Sequence, residues 1–225
     1  MLNIITWFWG VKYSPAYVHI LARSLRKHIT QPYKFSVFTD ESFLKSPEID
    51  NVFTIPEESF YLLGKGCFIR LQMFSPEWQK KYKFDDRIVG IDLDSVITGP
   101  LDPLFDRPEP FVILQGANVS NPCPYNGALV MVRVGEHPGV WDDFSLEAVE
   151  YIPRYEWPDD QGWLWHKLPG APGWPVGPKS GIYVYRKREW PKDDQLPVDA
   201  RIVTFVGKRN PVDLLHLKWV KENWV

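Results

Sequence analysis

Apolar residues occur in short unbroken runs separated by longer mixed segments, which is typical of alternating strands and helices. Residues 2–8 (LNIITWF) form one such run and predict a buried strand. A helix is predicted to follow from Pro15, with Ser14 as its N-cap. Its apolar positions recur at helical spacing: Tyr17, Val18, Leu21 and Leu25. Residues 34–40 predict the next strand, so the chain opens with a strand–helix–strand unit of a parallel sheet.

The rest of the chain continues this alternation. Further strands are predicted at 51–56, 86–98, 111–116, 127–134, 181–187 and 200–207, and helices at 67–78, 140–150 and 159–168. Residues 211–224 predict a helical or irregular tail that packs back on the sheet. The Pro- and Gly-rich stretch 169–178 is the most loop-like segment, and it is too short and too central to separate two domains. The pattern predicts an α/β fold.

Length and composition limit the class of protein. A chain of 225 residues corresponds to one domain or a tight pair, and it can bury a sizeable core. The content of 44% hydrophobic and 24% charged residues excludes intrinsic disorder. A net charge of −2 excludes a basic field over the whole protein and leaves only a local basic patch open. No nucleic-acid partner is therefore expected.

The cysteines and the apolar segments bear on the compartment. Cys67 and Cys123 do not form a C-x-x-C pair, and two cysteines fit a reducing cytosol, so a cytoplasmic protein is expected. No run of 18 apolar residues occurs, so we expect no transmembrane segment. The first ten residues lack the basic region and the cleavage site of a signal peptide, and a buried first strand explains them better.

The strongest chemical feature is the sequence Asp92-Leu93-Asp94, which follows an apolar strand. In open α/β sheets, ligands bind at the carboxyl edge of the strands, where these two carboxylates are expected. Hard oxygen ligands with open coordination positions suit Mg²⁺ or Mn²⁺ bridging a diphosphate, and a neutralised diphosphate is a better leaving group. The alternative is an ordinary acidic turn after a strand.

Four segments in order resemble a known family. The stretch VGIDLDSVITGPLDPLF (89–105) is similar to the D-x-D segment of GT-A-fold glycosyltransferases, in particular the family 8 type and its bacterial and phage relatives. Residues 125–128 (YNGA), 160–161 (DQ) and 205–208 (FVGK) resemble three later motifs of that family. The resemblance spans Leu2 to Pro211. It implies a single GT-A-like (Rossmann-like) domain, with a mixed, mostly parallel central sheet flanked by helices.

The resemblance also implies roles for particular residues. The nucleotide-binding half is expected at about 1–98 and the acceptor-side half at about 99–225. Catalytic roles near the donor sugar fall to Asp160, Gln161 and Asn126, and metal binding falls to Asp92 and Asp94. Substrate and nucleotide contacts fall to Thr6, Trp7, Trp9, Arg70, Asp92, Leu93, Gly127, Gly207 and Lys208. Independently of the resemblance, Lys65 lies between Gly64 and Gly66 in a predicted flexible loop and could also reach a phosphate.

Several of these residues have a plain structural alternative. The Asn126-Gly127 pair is also a strong turn dipeptide, and Asp159 with Asp160 also suits the capping of a helix. Lys208 could be a solvated lysine and Arg70 an exposed helix arginine. Four tryptophans near the D-Q segment could form a platform for an acceptor sugar or could belong to the core: Trp157, Trp163, Trp165 and Trp174.

One departure from the family concerns the metal site. A histidine usually completes that site, and this chain has Thr204, Phe205 and Val206 where it would stand. His216 could substitute only if the chain folds back. Since two carboxylates can hold Mg²⁺ through its waters, the identity of a third protein ligand stays open.

The predicted function is glycosyl transfer from a nucleotide-diphosphate sugar, a UDP-sugar above all, to an unknown glycan, lipid or small-molecule acceptor. Assistance by Mn²⁺ or Mg²⁺ and retention of configuration are implied by the resemblance. Two alternatives remain: a nucleotide- or sugar-binding protein without turnover, and a nucleotidyltransferase. The second would need a Gly-rich N-terminal loop with basic residues for a triphosphate, and the sequence after Trp9 matches that poorly.

Overall fold

The computed structural model describes residues 1–41, 44–64, 66–118, 122–152, 158–186, 190–207 and 209–225. The strands are β1 (Leu2–Phe8), β2 (Tyr33–Thr39), β3 (Asn51–Thr54), β4 (Arg87–Ile91), β5 (Val96–Ile97), β6 (Phe111–Gln115), β7 (Tyr125–Arg133), β8 (Gly173–Pro175), β9 (Ile182–Val184) and β10 (Ile202–Thr204). The α-helices are α1 (Pro15–His28), α2 (Pro76–Lys81), α3 (Asp102–Phe105), α4 (Gly139–Asp142), α5 (Leu146–Glu150), α6 (Asp160–Lys167) and α7 (Lys218–Asn223). Segments of 3₁₀-helix span Glu57–Leu62, Phe68–Phe74 and Pro211–Leu214.

The central sheet has seven strands in the order β3-β2-β1-β4-β7-β6-β8. Its neighbours pair in parallel from β3 through β4 and again between β6 and β8, whereas β7 is antiparallel to both β4 and β6. The predicted α/β fold with a mixed, mostly parallel sheet is confirmed. Because β7 runs against β4, the beginning of β7 lies at the same edge as the end of β4.

Both faces of the central sheet are covered, which explains the continuous apolar runs of its strands. Every residue of β1 is buried. Its neighbouring residues Ile4 and Ile5 belong to separate hydrophobic clusters, as expected for side chains that alternate between two faces. Ile4 shares its cluster with Val18 and Leu21 of α1, and Ile5 shares the other with Phe74.

A second, three-stranded sheet has the order β5-β10-β9. The single strand predicted at 86–98 is therefore two strands in two sheets, since β4 belongs to the central sheet and β5 pairs with β10. The chain passes between them through a turn in which the amide of Ser95 donates to the carbonyl oxygen of Asp92 at 3.2 Å. The D-x-D sequence forms this turn between the sheets.

Two predicted helices are each divided. The helix predicted at 67–78 is a 3₁₀ segment that ends before Ser75, followed by α2. Ser75 caps α2 by accepting from the amide of Trp78 at 3.3 Å, so Pro76 begins a helix rather than ending one. The helix predicted at 140–150 is divided into α4 and α5, and Ser145 caps the second.

The loop predicted at 169–178 contains more structure than expected, whereas the tail is helical in part and packs back on the fold, as predicted. Strand β8 lies inside that loop and pairs in parallel with β6, so the prediction of a loop is wrong for those three residues. In the tail, Trp219 and Val220 of α7 are buried, and Trp224 packs edge-on against Tyr17 of α1 with ring centroids 4.9 Å apart. No helix in the described part of the chain is both long and apolar enough to cross a membrane.

Candidate active site

A cavity of about 940 Å³, which we call the cleft, opens at the edge where β1 and β4 end and β7 begins. Its walls come from segments far apart in sequence: Trp7 to Tyr13, Gly66 to Arg70, Asp92 to Asp94, Asn126 to Ala128, Pro158 to Gln161, and Phe205 to Gly207. This is the edge at which ligands bind to open α/β sheets, and the volume suits a ligand of nucleotide size.

The two aspartates of the D-x-D sequence are fixed by different parts of the fold. The amide of Asp92 donates to the carbonyl oxygen of Ala128 at 3.0 Å, which continues the pairing of β4 with β7. The side chain of Asp94 is buried, with an exposed fraction of 9%, and its Oδ2 accepts a hydrogen bond from the hydroxyl of Tyr13 at 2.7 Å. Both carboxylates line the cleft, as predicted for the end of this strand.

Arg70 connects the D-x-D sequence to the D-Q segment. Its Nη2 lies 2.5 Å from Oδ1 of Asp92, and its Nη1 lies 3.5 Å from Oδ2 of Asp160. Nη1 also donates to the carbonyl oxygen of Gly127 at 3.2 Å. Arg70 is therefore not the exposed helix arginine of the structural alternative. Its guanidinium is a fork held between two carboxylates, a geometry that arginine forms better than lysine.

The two carboxylates bound by Arg70 have raised pKa values. Burial raises the pKa of Asp92 to about 6, and the neighbouring Asp94 adds to the effect, while Arg70 opposes it. Burial likewise raises the pKa of Asp160 to about 7, with Arg70 again opposing and Asp159 adding to the rise. Perturbed carboxyl groups that converge in a cleft are typical of a functional site.

The beginning of α6 supplies both a helix cap and side chains that line the cleft. Asp159 caps the helix by accepting from the amide of Gly162 at 2.8 Å. Asp160 is buried, with an exposed fraction of 3%, and contacts Arg70. Gln161 accepts from the amide of Gly127 through Oε1 at 3.2 Å and donates to Asp159 through Nε2 at 2.8 Å. The capping interpretation thus holds for Asp159, which lines the cleft together with the two residues after it.

Gly127 occupies a position with no room for a side chain. A Cβ added to it would lie 2.6 Å from Nη1 of Arg70 and 3.1 Å from Oδ2 of Asp160. The residue belongs to β7 and is part of a buried strand, so the turn alternative for this Asn-Gly pair does not describe it. The glycine permits the close approach of the arginine to the strand.

Asn126 is held by a neighbour that the sequence analysis did not single out. Its Nδ2 donates to Oδ1 of Asn118 at 2.9 Å, and its Oδ1 accepts from the amide of Ala128 at 3.0 Å. Asn118 in turn donates to the carbonyl oxygens of Cys123 and Tyr125. Asn118 follows β6 at the same sheet edge, and that position is the signal by which it could have been found.

The contact residues predicted at the ends of β1 and β4 divide into two groups. Trp7, Trp9 and Leu93 line the cleft. Thr6 is fully buried and its hydroxyl donates to the carbonyl oxygen of Ile91 at 2.8 Å, so its side chain does not reach the cleft. Trp7 also packs on Phe38, with ring centroids 6.1 Å apart, so it contributes to the core as well.

The late segment and the tryptophans give a mixed outcome. Gly207 lines the cleft with a positive φ of 79°, whereas Lys65, Lys208 and Trp157 lie outside the described residues.

Trp163 and Trp174 are buried, and their indole N–H groups donate to the carbonyl oxygens of Val140 and Leu104. These two tryptophans belong to the core, and they do not form an acceptor platform.

The donor set at Asp92 and Asp94 fits a cation held jointly with a diphosphate. Within the described residues, no group of three His, Cys, Asp or Glu side chains is placed to hold a metal, and His216 is exposed outside the cleft. Each aspartate uses one carboxylate oxygen for Arg70 or Tyr13 and keeps the other without a hydrogen bond from the described residues. Mg²⁺ is commonly bound by one or two carboxylates plus substrate phosphates, which matches this set.

Comparisons with known proteins give a likeness of fold. No protein-family model matches the chain, and no curated protein matches its sequence. A solved structure of the galactosyltransferase LgtC in complex with donor and acceptor sugar analogues matches with a TM-score of 0.62 and 11% identity, covering 99% of this chain and 96% of that one. The active-site mutant Q189E of LgtC matches with a TM-score of 0.62 and 12% identity, covering 93% and 89%.

A third solved structure extends the likeness. The glycosyltransferase GlyE of Streptococcus pneumoniae TIGR4 matches with a TM-score of 0.66 and 12% identity, covering 99% of this chain and 63% of GlyE. The chain therefore has the GT-A fold of these glycosyltransferases, and the predicted resemblance is confirmed at the level of the fold.

Proposed function

We propose that this chain is a glycosyltransferase, built as one domain, that moves a sugar from a nucleotide-diphosphate sugar to a glycan, lipid or small-molecule acceptor. A UDP-sugar is the proposed donor, and retention of configuration is the proposed outcome. The observation that carries the proposal is the cleft itself, which gathers Asp92, Asp94, Asp160 and Gln161 on a glycosyltransferase fold. Fold alone would not assign an activity, and the convergence of these groups is what supports it.

In this proposal the nucleotide lies along the ends of β1 and β4. Trp7 and Trp9 give an aromatic wall for the base and ribose. The open space around Gly207 lets the backbone approach the diphosphate. Lys65 and Lys208 are the proposed cations for the same phosphates. Asp92 and Asp94 are the proposed ligands of Mn²⁺ or Mg²⁺, and such a cation, when bound, neutralises the diphosphate leaving group.

The donor sugar is proposed to face β7 and the beginning of α6. Asn126 and Gln161 offer amide groups that can hydrogen-bond sugar hydroxyls, and both are fixed by the hydrogen bonds described above. The carboxylate of Asp160 is positioned to stabilise positive charge that develops at the anomeric carbon in an oxocarbenium-like transition state. Arg70 holds this carboxylate in place.

The first test is a thermal-shift screen of UDP, GDP, CDP and ADP, each with Mn²⁺, Mg²⁺ or EDTA. Saturation at 100 times Kd stabilises the folded state by about 2.7 kcal/mol, which is readily measured. We expect a metal-dependent shift with UDP that Asp92→Ala abolishes and that the exposed control Asp142→Ala preserves. A shift of the same size in EDTA would contradict the proposed metal role, and the absence of any nucleotide shift would contradict the proposed donor.

One observation favours a second candidate, a nucleotide- or sugar-binding protein without turnover. Thr204 and Phe205 are buried where the family histidine would stand, and the described residues offer no third metal ligand. Measurement of UDP-sugar turnover, with and without acceptors, separates the candidates. A transferase loses turnover by orders of magnitude in Asp160→Ala, whereas a binding protein has no turnover to lose.

We further propose a cytoplasmic setting. Neither Cys67 nor Cys123 forms a disulfide in the described part of the chain, and Cys123 is buried in the core. Cysteines kept as thiols fit a reducing compartment.

A further inference from the structure

A hydrogen bond connects the turn before α1 to the D-x-D sequence at the wall of the cleft. The hydroxyl of Tyr13 donates to Oδ2 of Asp94 at 2.7 Å. Tyr13 lies in the turn before α1, and Asp94 lies in the turn between the two sheets, 81 positions later. Both side chains line the cleft, so the bond lies where the proposed metal and diphosphate meet.

The Tyr13 ring is itself held in place. It packs on Tyr17, with ring centroids 4.8 Å apart, and Nζ of Lys12 lies 4.5 Å from its centroid. Tyr17 packs in turn on Trp224 near the end of α7. A phenol fixed by such packing presents its hydroxyl in one direction, which is the property required of a group that orients another.

The side chain of Asp94 is oriented by the Tyr13 hydroxyl, whereas the side chain of Asp92 is oriented by a cation. Asp92 has an ion pair with Arg70, but no lysine or arginine among the described residues forms an ion pair with Asp94. The Tyr13 hydroxyl is the side-chain donor to Asp94 in the described part of the chain. It occupies Oδ2 and leaves Oδ1 free of protein hydrogen bonds there.

We infer that Tyr13 is a positioning residue, which holds the Asp94 carboxylate in the orientation that binds a divalent cation. The inference rests on the proposed metal role of Asp94. The late histidine is missing from this chain, so fewer protein groups hold the cation. The orientation of each remaining ligand therefore contributes a larger share of the affinity for the cation. Groups that orient metal ligands typically contribute 10–100-fold to metal affinity.

The test measures Mn²⁺ binding by titration calorimetry at saturating UDP, with no acceptor and no turnover. Tyr13→Phe removes the hydroxyl and keeps the ring packing. Tyr183→Phe is the matched control, because it removes a tyrosine-to-aspartate bond of 2.9 Å, to Asp199, outside the cleft. Asp94→Asn serves as the reference for loss of the ligand itself.

We expect Tyr13→Phe to weaken Mn²⁺ binding about 10–100-fold, with UDP affinity in EDTA unchanged and Tyr183→Phe like the wild type. If the wild type binds Mn²⁺, Asp94→Asn abolishes binding and Tyr13→Phe binds as the wild type does, the inference alone is overturned. An equal loss in Tyr13→Phe and Tyr183→Phe also overturns it, since the effect is then one of general stability. If the wild type binds no Mn²⁺, the proposed metal role fails together with the inference.

A second variant covers the case in which Tyr13→Phe does not fold. Incorporation of 4-aminophenylalanine at position 13 keeps the ring and restores an N–H donor toward Asp94. A positioning role predicts that this variant recovers most of the Mn²⁺ affinity. Failure to recover it in a folded protein would count against the hydrogen bond as the cause.

Discussion

Nη2 of Arg70 lies 2.5 Å from Oδ1 of Asp92, so the first D-x-D carboxylate is already paired with a cation supplied by the protein itself. The same guanidinium reaches Asp160 at the beginning of α6. Arg70 therefore forms an ionic clamp, which we define as its paired contacts with Asp92 and Asp160. The resemblance implies that Arg70 binds phosphate. If it does so, its guanidinium is already held in position by two carboxylates.

Removal of this clamp should destabilise the protein. Arg70→Ala leaves the buried carboxylate of Asp160 and the partly exposed carboxylate of Asp92 without their cation, and breaking a buried ion pair typically costs about 3–5 kcal/mol. Arg26→Ala is the matched control, because Arg26 pairs with Asp50 at 3.2 Å where both side chains are more exposed. That substitution should cost less than about 1 kcal/mol. Urea unfolding at pH 8 measures both, and equal losses would contradict the clamp.

A methyl group at position 127 should damage the site more than the fold. In Gly127→Ala the new Cβ would lie 2.6 Å from Nη1 of Arg70, so the guanidinium must shift from its present position between the carboxylates. A misplacement of about 1 Å in a site lowers kcat/KM by about 100-fold. Gly64→Ala is the control, since a Cβ there meets open space. Steady-state kinetics with UDP-sugar and acceptor compare the two, and wild-type activity in Gly127→Ala would show that the close approach is unimportant.

The pH dependence of binding and of turnover should differ. Metal ligands must be deprotonated, and the pKa of Asp92 is about 6, so metal-dependent UDP binding should weaken as the pH falls through 6. In the proposed function, turnover uses the carboxylate of Asp160, whose pKa is about 7, so kcat should still rise between pH 6 and pH 8. Calorimetric binding and kcat profiles over pH 5–9 test this. A single shared midpoint near pH 4 would contradict the assigned shifts.

Asp160→Asn should stabilise the fold while abolishing turnover. The pKa of Asp160 is about 7 in the folded protein against an unfolded value near 4, so the folded state binds the proton more tightly. Ionisation of Asp160 therefore lowers stability progressively as the pH rises from about 4 to 7. The variant should gain stability at pH 8 and show no gain below pH 4, as functional sites commonly trade stability for activity. Thermal unfolding at both pH values measures the gain, with the exposed Asp142→Asn as control.

The elements with long, regular patterns could be predicted from the sequence. Strand β1, helix α1 and strand β7 appear within a few residues of their predicted bounds, since burial on both faces or along one helical stripe leaves an unambiguous pattern. The position of Asp92 and Asp94 at a strand end followed directly from the same pattern. Short elements did not leave such a signal. Strand β8 has three residues in a Pro-rich stretch and exists because β6 offers it a partner.

The contacts that shape the cleft could not be predicted, because they join residues that only the folded chain brings together. Tyr13 contacts Asp94, and Asn118 contacts Asn126. Arg70 contacts both Asp92 and Asp160. Thr6 shows the opposite case. Its position at the end of β1 suggested a ligand contact, and its hydroxyl instead satisfies the carbonyl oxygen of Ile91 in the buried sheet.

The turn that carries Asp92 and Asp94 also joins the two sheets. Asp92 is hydrogen-bonded into the seven-stranded sheet through Ala128, while Asp94 lies two residues before β5, which pairs with β10. A cation bound to both carboxylates would thus tie the two sheets together mechanically. Binding of the cation should then slow amide hydrogen exchange along Ile202–Thr204 of the smaller sheet.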